Sequence, residues 1–360
     1  MTKIKYCSKC VMPSTRPGIE FDDNGVCTGC QSFEKQKQTD WGKRWTELEK
    51  LCNKHRKNDG SFDCIITVSG GKDSMYQVHV FKELLGMNPL LVTVTDNFTS
   101  TEAGKHNYQN MIDTFDCHGV VFHPKKETER KYVREMFEKE GKPTWYVDRL
   151  IYTYPLHIAK SMDIPLIIYG EDISWTYGGK DAIESPSAMA QVENGVASDY
   201  PEITSTDPML RPPVGYGDLE PIYLSYFVPW NSWQNYVFAK SRGFKDLIGE
   251  WDRTNHLEWF DQIDSIAYLL HPWMKFPKFA HSVVTDYASK FVRYGMMTRD
   301  EAIKVVKQKE HVLDQKIIDD FCKFTSYTLS EFWSIINKHY NLDLFERDGY
   351  GWKRKYKVGE

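Results

Sequence analysis

At 360 residues, with 41% hydrophobic and 14% aromatic residues, the chain can build a sizeable core, which excludes wholesale disorder. The formal net charge of −4 provides no global attraction for nucleic acid and argues against it as a partner, although a local basic face is compatible with that total. No run of about 18 apolar residues is present, which argues against a membrane span, and Met1 to Cys7 lacks the apolar segment of a signal peptide. The chain is therefore expected in the cytoplasm, where thiols stay reduced.

Four of the eight cysteines fall in the first 38 residues. Cys7-x-x-Cys10 and Cys27-x-x-Cys30 are separated by sixteen residues, the spacing of a zinc ribbon. Four thiolates would close a tetrahedron around Zn²⁺ with no position left for a substrate, so the expected role is structural. An iron–sulfur cluster is the alternative that a thiolate quartet leaves open. Cys52, Cys64, Cys117 and Cys322 are scattered and read as small buried hydrophobes.

Residues 39–60 read as a connecting helix and linker, with Trp41, Trp45, Leu48 and Leu51 at helical spacing and a break at Lys57–Ser61. From 61 to 225 strands and helices alternate. Cys64–Val68, Leu90–Thr95, Gly119–Phe122 and Ile164–Tyr169 are short apolar or β-branched runs suited to buried strands. Between them the periodicity predicts helices from about Met75 to Leu85, over 102–117, over 126–140 and over 148–162. Buried strands joined through helices imply an α/β fold with a doubly wound parallel sheet. Residues 171–223, rich in Gly, Pro, Ser and Asp, read as active-site loops, and 226–360 as a helical region for substrate or partner.

Ligands of such sheets sit beyond the carboxyl ends of the strands. Ser69-Gly70-Gly71-Lys72-Asp73-Ser74 lies there, between the first strand and its helix. Gly70 and Gly71 allow a sharp turn that aims N–H groups at an anion. Ser69 and Ser74 supply hydroxyls, Lys72 supplies charge, and Asp73 is suited to a Mg²⁺ ion carried by a nucleotide. The loop is neither a Walker A sequence nor a dinucleotide fingerprint. It matches, residue for residue, the Ser-Gly-Gly-x-Asp-Ser motif of the PP-loop ATP pyrophosphatases, and the resemblance implies ATP cleavage between the α and β phosphates. It further implies that Thr93 to Asn97, Thr95 included, border the adenosine. The loop of Gly170, Glu171 and Asp172 is then placed near the α-phosphate and metal. Lys72, Asp73 and Glu171 are the catalytic candidates, and Lys180 is a further candidate for phosphate contact.

Beyond the loop, the chain resembles the N-acetyl sugar amidotransferases nearly throughout. The resemblance is carried by Tyr6 to Gly18, by Phe21-Asp-Asp-x-Gly-Val-Cys27-x-x-Cys30, and by Ile168-Tyr-Gly-Glu171 and Tyr226-Phe-Val-Pro-Trp230. It continues through Lys278-Phe279, Thr285-Asp286-x-x-Ser289, Arg293-x-Gly295 and Thr298 to Ala302. It implies conversion of a sugar N-acetyl group into an acetamidino group, as in pseudaminic, legionaminic or lipopolysaccharide sugars. Ammonia is implied to come from a glutaminase and a cyclase-like subunit resembling those of imidazole glycerol phosphate synthase. No glutaminase nucleophile or hydrolase domain is evident in the chain itself. Among polar residues of 281–293, His281, Asp286 and Arg293 are the candidates for contact with the sugar, with a solvated, capped helix face as the plainer reading. Trp175, Trp230, Trp233 and Trp273 suit either sugar stacking or core packing. The competing readings are a PP-loop enzyme of tRNA thiolation or lysidine type, and a non-catalytic nucleotide-binding scaffold.

Overall fold

The computed structural model describes residues 4–172, 178, 184–194, 200–349 and 351–359. Five parallel strands, β1 Cys64–Thr67, β2 Pro89–Val94, β3 His118–Phe122, β4 Leu166–Tyr169 and β5 Glu220–Tyr223, form one sheet in the order β3-β2-β1-β4-β5. The fold is thus α/β with a parallel sheet, as the alternating apolar runs imply. The chain winds outward from β1 to β2 and β3, then returns to place β4 on the other side of β1. That reversal opens a crevice at the carboxyl ends of β1 and β4, where doubly wound sheets bind ligands.

β1, β2 and β4 consist almost wholly of buried residues, because helices cover both faces. The helices of the sheet domain are α2 Trp41–His55, α3 Lys72–Val78, α4 Glu102–Phe115, α5 Lys126–Glu140 and α6 Trp145–Met162, preceded by α1 Thr28–Gln36. α3 continues as a π-helical stretch over His79–Leu84 and stops at Gly86, whose φ of +62° suits a residue without Cβ. The short strand β5 is an addition to the four strands expected.

Beyond β5 the chain is mainly helical, with α7 Ser232–Ser241, α8 Val283–Arg293, α9 Arg299–Lys309, α10 Gln315–Thr325 and α11 Leu329–Lys338. An antiparallel hairpin, β6 Phe345–Asp348 and β7 Gly351–Arg354, was not expected in this region. One apolar cluster runs from Leu48 and Ile66 through Phe137 and Ile222 to Phe321, Phe332 and Phe345, so the sheet and the C-terminal helices share a core. Trp230 and Trp273 belong to it, and Trp233 packs against it, which favours core packing over sugar stacking. Trp175 lies outside the described residues. Cys52 and Cys64 are buried as expected, and Cys117 and Cys322 are half-buried. Among the described residues no helix is long and apolar enough to cross a membrane.

Candidate active site at the phosphate loop

The turn after β1 is held open by its own polar groups. Ser69 N–H donates to Ser74 Oγ at 3.0 Å, and Gly71 N–H donates to Ser69 Oγ at 3.2 Å. Gly70 has a φ of +92°, and a Cβ there would lie 2.9 Å from the backbone N of Tyr108 on α4. Glycine is therefore required both for the conformation and for the close approach. Gly71 caps α3 with no side-chain hydrogen bond to its first turn. The loop borders a cavity of about 530 Å³, within the range of small-molecule sites. Ser69, Asp73, Ser74, Thr95, Lys105 and Tyr108 are among its lining residues. Thr95 follows β2, and its Oγ1 lies 2.7 Å from His123 Nδ1.

The charges of the loop are paired in an unexpected way. Lys72 is 1% exposed, and its ammonium lies 2.7 Å from Asp73 Oδ2 and 2.9 Å from Asp261 Oδ1. Burial opposes its charge, but Asp261 and Asp73 outweigh burial and keep Lys72 protonated well above the usual range. Asp73 Oδ1 accepts from Asn235 Nδ2 at 2.7 Å. Burial pushes Asp264 up to about 7, with the Asp96 and Asp261 charges adding to it, while a hydrogen bond with Ser69 opposes the shift. Asp96, which accepts from Ser265 Oγ at 2.6 Å, is pushed up to about 6, chiefly by burial. A segment from Asp261 to Ile266 is stitched against the sheet domain: Thr101 N–H donates to the Asp264 carbonyl, and Ile266 N–H to that of Thr99. Gly104 makes room for it, since a Cβ there would meet Asp264 backbone at 2.8 Å.

Residues 234–358, which supply Asn235, Asp261 and Asp264, match the family described as LPS biosynthesis protein WbpG-like, C-terminal domain. The likeness to that family is confined to these residues. That description agrees with the lipopolysaccharide sugars among those the sequence resemblance implies. The protein MJ1599 of Methanocaldococcus jannaschii, described as uncharacterized, is 26% identical over 202 residues, which cover 53% of this chain and 64% of that protein. The chain thus spans less than two thirds of this relative's length. Among solved structures, NMN synthetase of Francisella tularensis is similar at 10% identity, covering 82% of this chain and 96% of that one, with a TM-score of 0.34. The NH3-dependent NAD synthetase of Campylobacter jejuni is 13% identical, with 80% and 94% covered and a TM-score of 0.34. The U34-tRNA thiolase NcsA of Methanococcus maripaludis, with its [4Fe-4S] cluster, is 14% identical, with 91% and 97% covered and a TM-score of 0.31. Scores of this size transfer no activity to this chain.

The WbpG-like region also supplies Lys290, 2% exposed on α8, whose ammonium lies 3.3 Å from Ser232 Oγ and 3.9 Å from Glu171 Oε1. Of the loop after β4, Gly170 packs tightly, since a Cβ there would lie 2.9 Å from Gln77 Nε2, and Asp172 N–H donates to Ser225 Oγ at 3.0 Å. Gly170, Glu171 and Asp172 do not line the 530 Å³ cavity; they lie at the end of β4, on the far side of β1 from β2. Lys180 lies outside the described residues.

His281 and Asp286 lie beside one another, and none of the three sugar candidates lines that cavity. His281 is 1% exposed with neither ring nitrogen hydrogen-bonded, and burial lowers it to about 4, so it is neutral at pH 7. Asp286 is buried and ion-paired with Lys275; burial would raise its pKa, but Lys275 and the neighbouring His281 and Arg16 hold it well below the usual carboxylate range. Arg293 departs from the expectation of a sugar contact, because its guanidinium lies beside the cysteine quartet: burial opposes its charge, and Cys10, Cys30 and Cys27 outweigh burial. The sequence reading missed Asn235, Asp261, Asp264 and Lys290. Their only sequence signal is the pair of acids in Asp261-Gln-Ile-Asp264, within a stretch of weak helical periodicity.

Cys7, Cys10, Cys27 and Cys30 converge, all buried, with their sulfurs within 4.8 Å of one another. Cys7 and Cys30 Sγ are 3.9 Å apart, and Cys10 and Cys27 Sγ 3.7 Å. A tetrahedral zinc with Zn–S bonds of about 2.3 Å needs edges of about 3.8 Å, so the quartet fits a single ion. An iron–sulfur cluster holds its cysteine sulfurs farther apart, because iron and sulfide atoms stand between them. Cys10 N–H and Cys27 N–H both donate to Cys7 Sγ, at 3.4 and 3.3 Å, as ionised sulfur favours. Arg299 Nε donates to the carbonyls of Cys7 and Cys10 at 3.0 and 3.1 Å, fastening the segment to α9.

Proposed function

We propose that the chain is an ATP-dependent amidotransferase acting on an N-acetylated sugar, either a nonulosonate or a nucleotide sugar. It adenylates the acetamido oxygen and replaces it with ammonia to give an acetamidino group, releasing AMP and pyrophosphate. The observation that carries the ATP half is the Ser69–Ser74 loop, built with glycine where a Cβ cannot fit and opening on a nucleotide-sized cavity. The WbpG-like match over 234–358 supports the sugar half.

An amide carbonyl is a poor electrophile and its oxygen a poor leaving group. In the proposed reaction that oxygen attacks the α-phosphorus, the bond to the β-phosphate oxygen breaks, and pyrophosphate departs with the negative charge. The resulting O-adenylyl imidate has AMP as its leaving group; ammonia adds to the imidate carbon, loses its excess protons and expels AMP. Such a reaction needs positioning and charge stabilisation, without a covalent enzyme intermediate. In this reading the N–H groups and hydroxyls of Ser69 to Ser74 hold the β and γ phosphates, Thr95 borders the adenosine, Asp73 would hold the cation, and Glu171 keeps its proposed catalytic role from the end of β4, outside the cavity. A bound Mg²⁺ would neutralise charge on the leaving pyrophosphate, and the orphan Oδ1 of Asp264 in the cavity wall fits a site that receives a cation. Zinc in the quartet would hold the N-terminal segment against α9. Ammonia is proposed to come from separate glutaminase and cyclase-like subunits.

The expected result of mixing the protein with ATP, Mg²⁺, ammonium and a panel of N-acetylated sugars is one sugar whose mass changes by exchange of an oxygen for an NH group. Hydrolysis of ATP with every sugar unchanged would contradict the proposal.

A further inference from the structure

Lys72 meets two carboxylates where one would neutralise it. Had the phosphate loop been charge-balanced locally, Lys72 and Asp73 would form a neutral pair with little attraction for a cation. Asp261, 189 positions from Lys72, adds a second negative charge. It cannot swing away easily. Its N–H donates to Glu258 Oε2 at 2.8 Å, and its carbonyl accepts from Arg253 at 2.8 Å. Arg253 and Glu258 are themselves a buried ion pair at 2.9 Å. Asp73 is fixed separately through Asn235 on α7. Lys290 and Arg253 also act on Asp261, and each has a carboxylate of its own, Glu171 and Glu258. Lys72 against Asp73 and Asp261 therefore leaves one net negative charge in this cluster at the cavity wall.

We infer that Asp261 is a positioning residue that sets the charge of the phosphate loop: by sharing the Lys72 ammonium with Asp73, it leaves the cluster with a net negative charge that attracts the divalent cation accompanying a nucleoside triphosphate. This rests on the reading of Ser69–Ser74 as an ATP site. The charge has two opposite consequences. It attracts a metal–nucleotide complex through its cation and repels a bare triphosphate, so that binding depends on the metal. The WbpG-like region thereby determines which form of the nucleotide the sheet domain accepts.

The test measures binding of α,β-methylene-ATP, which cannot be split between the α and β phosphates, to the full chain by calorimetry. It is done once with Mn²⁺ and once in EDTA. Asp261→Asn should weaken the Mn²⁺ complex by about tenfold and tighten metal-free binding. Asp261→Glu, which keeps the charge, should stay near the wild type in both. A general loosening of the loop would weaken both forms together, and that result would overturn the inference, as would an Asp261→Asn variant matching the wild type in both. If the wild type binds neither form, the ATP reading falls and this inference with it. If the wild type binds and only the contrast between the two forms is missing, the ATP reading stands and this inference alone falls.

Discussion

The cysteine quartet and the phosphate loop are both short motifs, yet they are completed in different ways. The quartet gathers all four sulfurs from residues 7–30, and the C-terminal helices add Arg299 on its backbone and Arg293 beside it. The phosphate loop has its turn, glycines and hydroxyls within six residues, but Asn235 and Asp261 govern its charges from the WbpG-like region. A motif whose ligands are all local keeps its chemistry when read alone. A motif whose counter-charges arrive through tertiary packing does not, and the Lys72 ammonium is the case in point.

The largest expected effect comes from breaking the self-contained site. Cys10→Ser should reduce bound metal, measured by elemental analysis, from about one ion per chain to none, and should markedly lower the thermal midpoint. An unchanged metal content would remove Cys10 from the ligand set. On the other side of the comparison, Asp73→Ala should lower AMP formation at least about a hundredfold with the circular dichroism spectrum unchanged. Retained turnover would show that Asp73 is not part of the machinery. Gly70→Ala should cost about 1–3 kcal/mol in urea unfolding from backbone strain alone, and more if Tyr108 cannot yield to the added Cβ. A neutral outcome would mean that the turn has more room than its φ of +92° implies.

The smallest effect is a pH dependence. The folded pKa of Asp264, about 7, lies above its unfolded value, so between about pH 4 and 7 the folded chain binds more protons than the unfolded one. Its contribution to stability is therefore fully present at low pH and lost as the pH rises through 7. Asp264→Asn should flatten that part of the unfolding profile, and an identical profile would show that the carboxyl ionises normally.

Much of the fold was legible because β1 to β4 are short apolar runs, the first three each followed by a helical period. β5 was not: Glu220-Pro-Ile-Tyr223 is only four residues long, contains proline, and gains its place by pairing with β4. The β6–β7 hairpin was hidden by its charges, since Glu346, Arg347 and Asp348 are exposed and show no apolar alternation. The same reason applies to the site. Ser69 to Ser74 and the four cysteines announce themselves by spacing, whereas Asp261 and Asn235 acquire their roles only when α7 and the 258–266 segment pack on the loop. Arg293 illustrates the converse: a cation suited to a sugar substituent by type sits instead against a thiolate quartet, which only the three-dimensional arrangement reveals.

The central claim is that the acetamido oxygen of a sugar attacks the α-phosphorus of ATP. It is tested most directly by labelling that oxygen with ¹⁸O and following the products by mass spectrometry and ³¹P NMR. The account predicts pyrophosphate together with AMP carrying the label on its phosphate. ADP and inorganic phosphate as products, or AMP free of label, would contradict it.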